Sequence, residues 1–233
     1  MSTTDSTAQG KADLERWEKR LGPLLSVIAG MVDLTGFFTL GNIFTAHITG
    51  NLVGVSAALV RGGPVNRAQA LAIPVFILAV AALWLIASSS KQHGLPLARL
   101  FLWVQLTLLA AVFLFSVITK PSASPHGLMA GIAVMIAVSA MACQFVLFRL
   151  ALPGAISTAV MTGNLTNSVL SLMDAFSPGR ELMPVDTGRL KRSLNLLFGF
   201  LLGCLVAAAA VSVLKDWAWS LPAALAGFAV VWR

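Results

Sequence analysis

Gly41-Asn-Ile-Phe-Thr-Ala-His-Ile-Thr-Gly-Asn-Leu52 returns 113 residues later (154 minus 41) as Gly154-Ala-Ile-Ser-Thr-Ala-Val-Met-Thr-Gly-Asn-Leu165. Eight of the twelve positions agree without a gap, where a chain so rich in Ala and Leu gives about one chance match in twelve, so the phrase marks a duplicated unit. Both copies lie inside apolar stretches. Twofold repeats of membrane proteins commonly hold a binding site where the copies meet.

The surroundings of the two phrases fix the class. The 233 residues are 58% hydrophobic and 11% charged, with a mean hydropathy of +0.86; a soluble domain carries about 25% charged residues. Apolar runs near 18 residues recur, the length that crosses about 30 Å of hydrocarbon. The chain reads as an all-α integral membrane protein. A net charge of +7 and a pI near 10.3 reflect loop positions rather than a nucleic-acid partner, because the charges are spread among the turns. Cys143 and Cys204 fall in apolar segments without ligand spacing around them, so they read as packing residues.

Eight apolar segments are predicted, at about 22–42, 44–61, 69–90, 97–119, 127–150, 155–175, 193–214 and 217–232; six or seven spans also fit. Turn signals separate them at Gly62-Gly63-Pro64, Gly94-Leu95-Pro96, Pro121 to Pro125, Pro153-Gly154 and Ser177-Pro178-Gly179. Residues 1–20 form a polar tail ending in a surface helix, with no cleavable signal. Residues 21–119 make a first transmembrane repeat and 127–233 a second. With four spans each, the two repeats are parallel; three per repeat would invert them. Of the sixteen Lys and Arg, this count leaves Lys91, Arg99, Arg149 and Lys215 away from the cytoplasmic side, so both termini are expected in the cytoplasm.

Val32-Asp33 followed by Thr39-Leu-Gly-Asn-Ile-Phe-Thr-Ala-His-Ile-Thr-Gly-Asn-Leu-Val53 resembles the YoaK-like family of bacterial polytopic membrane proteins, a domain of unknown function. Ala142-Cys-Gln144 and Thr158 to Thr166 resemble its second signature. The resemblance implies a bacterial inner-membrane protein without an established activity. Members often carry Gln-Asn in the fifth span; here Phe145 follows Gln144.

Inside a bilayer each polar side chain needs a partner or a cavity. Asp33, Thr45, Thr49, Gly50 and Asn51 in spans one and two, with Gln144, Thr158, Thr162, Gly163 and Asn164 in spans five and six, form the expected substrate-binding set. Two readings of Thr-Gly-Asn stand side by side. In one, Gly permits close helix packing while Thr and Asn bond across the seam. In the other, Gly50 and Gly163 mark broken helices, and Asn51 and Asn164 face a solute. Arg149 aligns through the repeat with Gly36, one turn from Asp33, which suggests an Asp33–Arg149 charge pair; a coupling acid at Asp33 is the alternative. His47, replaced by Val160 in the second copy, reads as a hydrogen-bonded packing residue rather than a metal ligand or a proton relay.

No phosphate loop, His-Glu-x-x-His or Gly-x-Ser-x-Gly occurs, so neither ATP hydrolysis nor catalysis is expected, and no cofactor or metal. The expected function is secondary transport or a channel for a small solute or ion, with the lipid bilayer as surroundings. A non-catalytic scaffold, whose Thr-Gly-Asn phrases serve helix packing, is the alternative.

Overall fold

The computed structural model describes residues 3–92, 96–152, 155–158, 161–176 and 187–231. Gly94-Leu95, Pro153-Gly154, Val160, Ser177-Pro178-Gly179, Arg180 and Arg233 lie outside them. Among the described residues the chain forms α1 (Thr3–Thr39), α2 (Ile48–Arg61), α3 (Arg67–Gln92), α4 (Leu97–Thr119), α5 (Leu128–Leu150), α6 (Met161–Phe176), α7 (Thr187–Leu214) and α8 (Ser220–Val231), with 3-10 turns at Pro121–Ala123 and Lys215–Trp219 and no strand. Five stretches are long and apolar enough to cross a membrane: Arg20–Thr39, Arg67–Ser90, Leu97–Thr119, Leu128–Leu150 and Leu190–Val231. This is a helical membrane protein, as hydrocarbon requires when every backbone group must be satisfied within its own segment. The tail departs from expectation: it continues without a break into the first apolar helix, with Pro23 inside α1, because Ala, Glu, Lys and Arg between residues 8 and 20 favour helix.

Residue contacts give each helix a direction. Gly41, past the end of α1, lies against Pro125 and His126, just before α5, whereas Leu25, early in the apolar part of α1, takes a hydrogen bond from Gln144, late in α5. The two helices are therefore antiparallel. Ser26 bonds the Leu196 carbonyl and Gly30 faces Phe200 and Cys204, so α7 runs with α1. Gly131 faces Ala68 and Phe145 faces Phe76, so α3 runs with α5. Phe113 meets Trp217 and Leu106 meets Gly227, so α8 runs against α4. The reversal between α7 and α8 occurs at Lys215, which has φ 51°. This also divides the longest apolar stretch into two helices of opposite direction.

The expectation of two parallel halves is thus corrected: the fifth segment runs against the first. The reason lies in α2. It has 14 residues, about 21 Å at 1.5 Å per residue, short of the hydrocarbon thickness. After α1 the chain turns at Gly41 (φ 82°) and Asn42 (φ 59°), conformations that favour Gly and Asn. It then returns beside α1 as an extended segment before α2 begins. Gly54 faces Gln69, so α2 and α3 form an antiparallel hairpin, and α2 rises in the same sense as α1. The second segment thus begins and ends at the end of the bundle where α1 finishes.

The core lies among α1, α4, α5 and α8, with Leu25, Ile28, Val32, Leu109, Val112, Ala137, Met141 and Ala226 buried. Outside it α7 packs on α1 and α3 on α5, while α6 packs on α7 and α2 on α3. The α1–α7 seam is the tightest: a Cβ on Gly30 would overlap the Phe200 carbonyl, and one on Gly203 the Val27 carbonyl. Outward faces carry exposed Leu78, Leu85, Leu201, Leu205 and Val213, as lipid contact allows.

Candidate functional site

An extended segment buried in hydrocarbon leaves backbone N–H and C=O groups without the partners a helix supplies, each a matter of several kcal/mol by rough accounting. The sequence answers with two side chains. Asp33 Oδ1 accepts from the Thr45 and Ala46 N–H groups, both at 2.8 Å, and more distantly from His47 N at 3.4 Å. The Asn51 amide pairs with both backbone groups of Phe44: its Oδ1 accepts from N at 3.0 Å, and its Nδ2 donates to the carbonyl at 2.7 Å. Gly36 admits the segment, since a Cβ there would meet Thr45 Cγ2 at 2.8 Å. Gly50 is helical, and the Phe44 ring packs over it at 3.0 Å from where a Cβ would stand. The break in the helix therefore lies at residues 40–47, not at the glycine of Thr-Gly-Asn.

The second copy repeats the device. Asn164 Nδ2 donates to the Ser157 carbonyl at 3.0 Å, seven residues back, as Asn51 does to Phe44. What stands opposite differs. Gln144 of α5 donates to the Thr158 hydroxyl at 3.0 Å and to the Leu25 carbonyl at 2.9 Å, and accepts from Gln105 Nε2 of α4 at 2.7 Å. This net is buried and neutral. Gly163 is helical, and Thr49 and Thr162 are exposed at the helix starts.

Asp33 leads to open space. Its Oδ2 lies 2.6 Å from His47 Nδ1, and the His47 side chain is 39% exposed against 6% for Asp33. A cleft of about 460 Å³ adjoins the pair, lined by Asp33, Phe37, Phe44, His47, Thr49, Gly50, Phe200 and Cys204 among others. The His47 ring centroid is 5.2 Å from that of Phe200, and Phe44 is 5.1 Å from Phe37.

The structure thus brings together Asp33, Thr45, His47, Thr49 and Gly50, and sets Gln144, Thr158 and Asn164 elsewhere. The two asparagines are buried and committed to backbone, so they do not line this cleft. Asp33 and Arg149 are not brought together: Arg149 is exposed in the last turn of α5, and the side chain that Asp33 pairs with is His47. Repeat alignment had placed Arg149 beside Asp33 by assuming parallel halves. Phe200 and Cys204 escaped the sequence reading, although the small residues Gly199 and Gly203 were a signal that α7 packs closely on another helix. Among the described residues no three His, Cys, Asp or Glu cluster in a manner suited to a metal ion.

Two further cavities open at opposite ends of the molecule. One, of about 750 Å³, lies where α3 and α5 begin, beside Asn66, Arg67 and His126. The other, of about 520 Å³, lies where α7 and α1 meet, beside Gly22, Lys191, Arg192 and Asn195.

Residues 21–232 match the family described as Protein of unknown function (DUF1275). The chain belongs to that family, the one its Thr-Gly-Asn phrases resemble. No curated protein and no solved structure matches it.

Proposed function

We propose that this DUF1275 member moves a small solute or ion across the bacterial inner membrane, through six crossing helices and two re-entrant half-helices arranged as inverted repeats. The carrying observation is a swap: exchanging α1–α4 for α5–α8 preserves the packing scheme. Thus α1 packs on α7 as α5 packs on α3, α1 on α8 as α5 on α4, and α2 on α3 as α6 on α7, while α4 on α8 is its own counterpart. The antiparallel α1 and α5 make that exchange a twofold rotation about an axis in the membrane plane, a relation found in many transporters. The swap also relates the two end cavities, which suit access from either face.

Charge supports an orientation. Among the described residues, Arg61, Arg67, Lys120 and Lys215 are the Lys and Arg at the end where α1 finishes; Arg20, Arg99, Arg149, Lys191 and Arg192 stand toward the end where it starts. The positive-inside rule then puts both termini in the cytoplasm. Lys91 and Arg99, misplaced by an eight-span count, fall on the cytoplasmic side with the others.

The residues we assign are Asp33 as charge carrier and His47 as its exposed partner, with Thr49 at the cleft rim. An intramembrane acid is costly enough that its retention beside a cavity points to function. No enzymatic role is proposed. Reconstituted protein should accumulate at least one solute from a panel of sugars, amino acids, amines and inorganic ions, and Asp33→Asn should abolish that uptake while the variant still folds. Uptake unchanged by Asp33→Asn would sink the assignment.

One observation favours a second reading. Asn51 and Asn164 each hold backbone of their own entry segment, neither facing a solute nor bonding across a helix seam, which makes them structural residues. Folded liposome-embedded protein that passes no solute of the panel would favour a non-catalytic scaffold.

A further inference from the structure

We infer that the Asp33–His47 cleft takes a primary or secondary amine with an apolar body, bound as its ammonium ion against Nε2 of His47. This rests on the reading of the cleft as a binding site and adds its ligand class.

Asp33 has little left to offer a ligand directly. Oδ1 is held by the Thr45 and Ala46 N–H groups and Oδ2 by His47 Nδ1. A neutral imidazole bonded through Nδ1 to a carboxylate carries its proton on Nδ1, so Nε2 is an acceptor. Among the described residues nothing bonds Nε2, and the ring is the exposed member of the pair. Carboxylate and neutral imidazole together carry one negative charge in surroundings of low dielectric, and no Lys or Arg lines the cleft. One cation with an N–H to donate satisfies both the charge and the acceptor.

The walls agree. Phe37, Phe44 and Phe200 surround the pair, and aromatic faces attract ammonium ions within about 6 Å. A cleft of about 460 Å³ falls in the range of small-molecule sites, roughly 300–1,000 Å³, with room for an apolar body beyond the ammonium group. Beyond Asp33, α1 continues to Thr39, about 9 Å at 1.5 Å per residue. With α1 crossing the bilayer as proposed and its end at the hydrocarbon boundary, the cleft lies below headgroup depth, so the ammonium belongs to a small molecule rather than to a lipid headgroup. The second copy has Val160 in place of His47, so only one half carries this chemistry.

A proton and an ammonium ion compete for the same lone pair. The titratable groups facing His47 are Asp33 from α1 and the Cys204 thiol from α7; α2 and its entry segment present none in the cleft. Protonation of His47 fills the site, so amine binding weakens as pH falls, by up to about tenfold per pH unit when one proton is displaced. The ligand does not cause this dependence, because aliphatic amines stay protonated near and below a pKa of about 10.

The test is thermal stabilisation and equilibrium binding of the purified full-length protein with three isosteric probes: phenethylamine, 2-phenylethanol and phenylacetate, at pH 6 and pH 8. The proposal expects phenethylamine alone to raise the melting midpoint, more at pH 8 than at pH 6. His47→Val should remove the shift, and Phe200→Leu should weaken binding about three- to tenfold. Should His47→Val fail to fold, the pH pair and Phe200→Leu still decide. A His47-dependent shift from the alcohol or the acid instead overturns the amine class and leaves the cleft standing as a site. No shift from any probe overturns the amine class, and if Asp33→Asn also leaves solute uptake unchanged, the cleft falls with it.

Discussion

The two Thr-Gly-Asn units solve one problem identically and another differently. In both, an Asn on the fourth residue of a short helix holds the carbonyl seven residues back, which lets an extended segment sit in hydrocarbon. Opposite that segment, the first unit places a charged Asp33 beside an exposed His47 and a cleft, and the second places Gln144 in a dry net spanning α1, α4 and α5. The two phrases share a way of holding backbone and differ in what they set against it. One half holds titratable chemistry, and the other ties helices together.

The comparison depends on the halves being inverted, and the largest expected effect tests that. In a chain with Cys143→Ala and Cys204→Ala, single cysteines at Gly63 and at Gly188, both exposed, should react with a membrane-impermeant maleimide from opposite faces of the membrane. Reaction from the same face would restore eight crossings and break the comparison. Next comes the α1–α7 seam between the units: Gly203→Ala pushes a methyl group into the Val27 carbonyl and should cost about 3 kcal/mol, the upper end for overpacking. On the corresponding α3–α5 seam, Gly131→Ala meets only Ala68 Cβ at 3.6 Å.

Gln144→Leu should lower stability by about 2–3 kcal/mol in a denaturant titration, because it strands the buried Gln105 amide and removes the donors to the Thr158 hydroxyl and the Leu25 carbonyl. An unchanged midpoint would mean that the second unit's net contributes nothing. The asparagines sharpen the parallel. Asn51→Ala releases both backbone groups of Phe44 and Asn164→Ala releases the Ser157 carbonyl, so each should cost about 1–2 kcal/mol in the same titration. An unchanged midpoint for either variant would mean that its asparagine does not hold the segment. Gly131→Ala, the smallest effect, should stay within about 0.5 kcal/mol of wild type.

Much of the fold is legible in the composition. Segments expected at 97–119 and 127–150 correspond to Leu97–Thr119 and Leu128–Leu150, because long apolar runs between Pro and Gly have few other outcomes. Direction was not legible. Ile43, Phe44 and Ala46 are as apolar as a helix, so hydropathy cannot separate an extended return plus a half-helix from one full crossing. Whether residues 44–61 count as a crossing sets the parity, and with it the direction expected of the second half. Asp33 and the Thr-Gly-Asn residues were visible as polar groups in an apolar setting. Their partners were not: the Asn51–Phe44 pairing exists only if α2 starts at Ile48, and the Asp33–His47 pairing joins residues 14 apart that share no helical face.

The α4–α5 connection has a consequence for ancestry. Under the six-crossing arrangement each unit crosses three times, so it enters on one face and leaves on the other. A second copy fused to the end of the first starts where the first stops and is threaded upside down without any added helix. The join is the short stretch 120–127, built around the 3-10 turn Pro121–Ala123. A lone ancestral unit would have reached the same architecture only by inserting in both senses and pairing with itself. Fusion would have freed one copy to keep its acid while the other gave way to an amide.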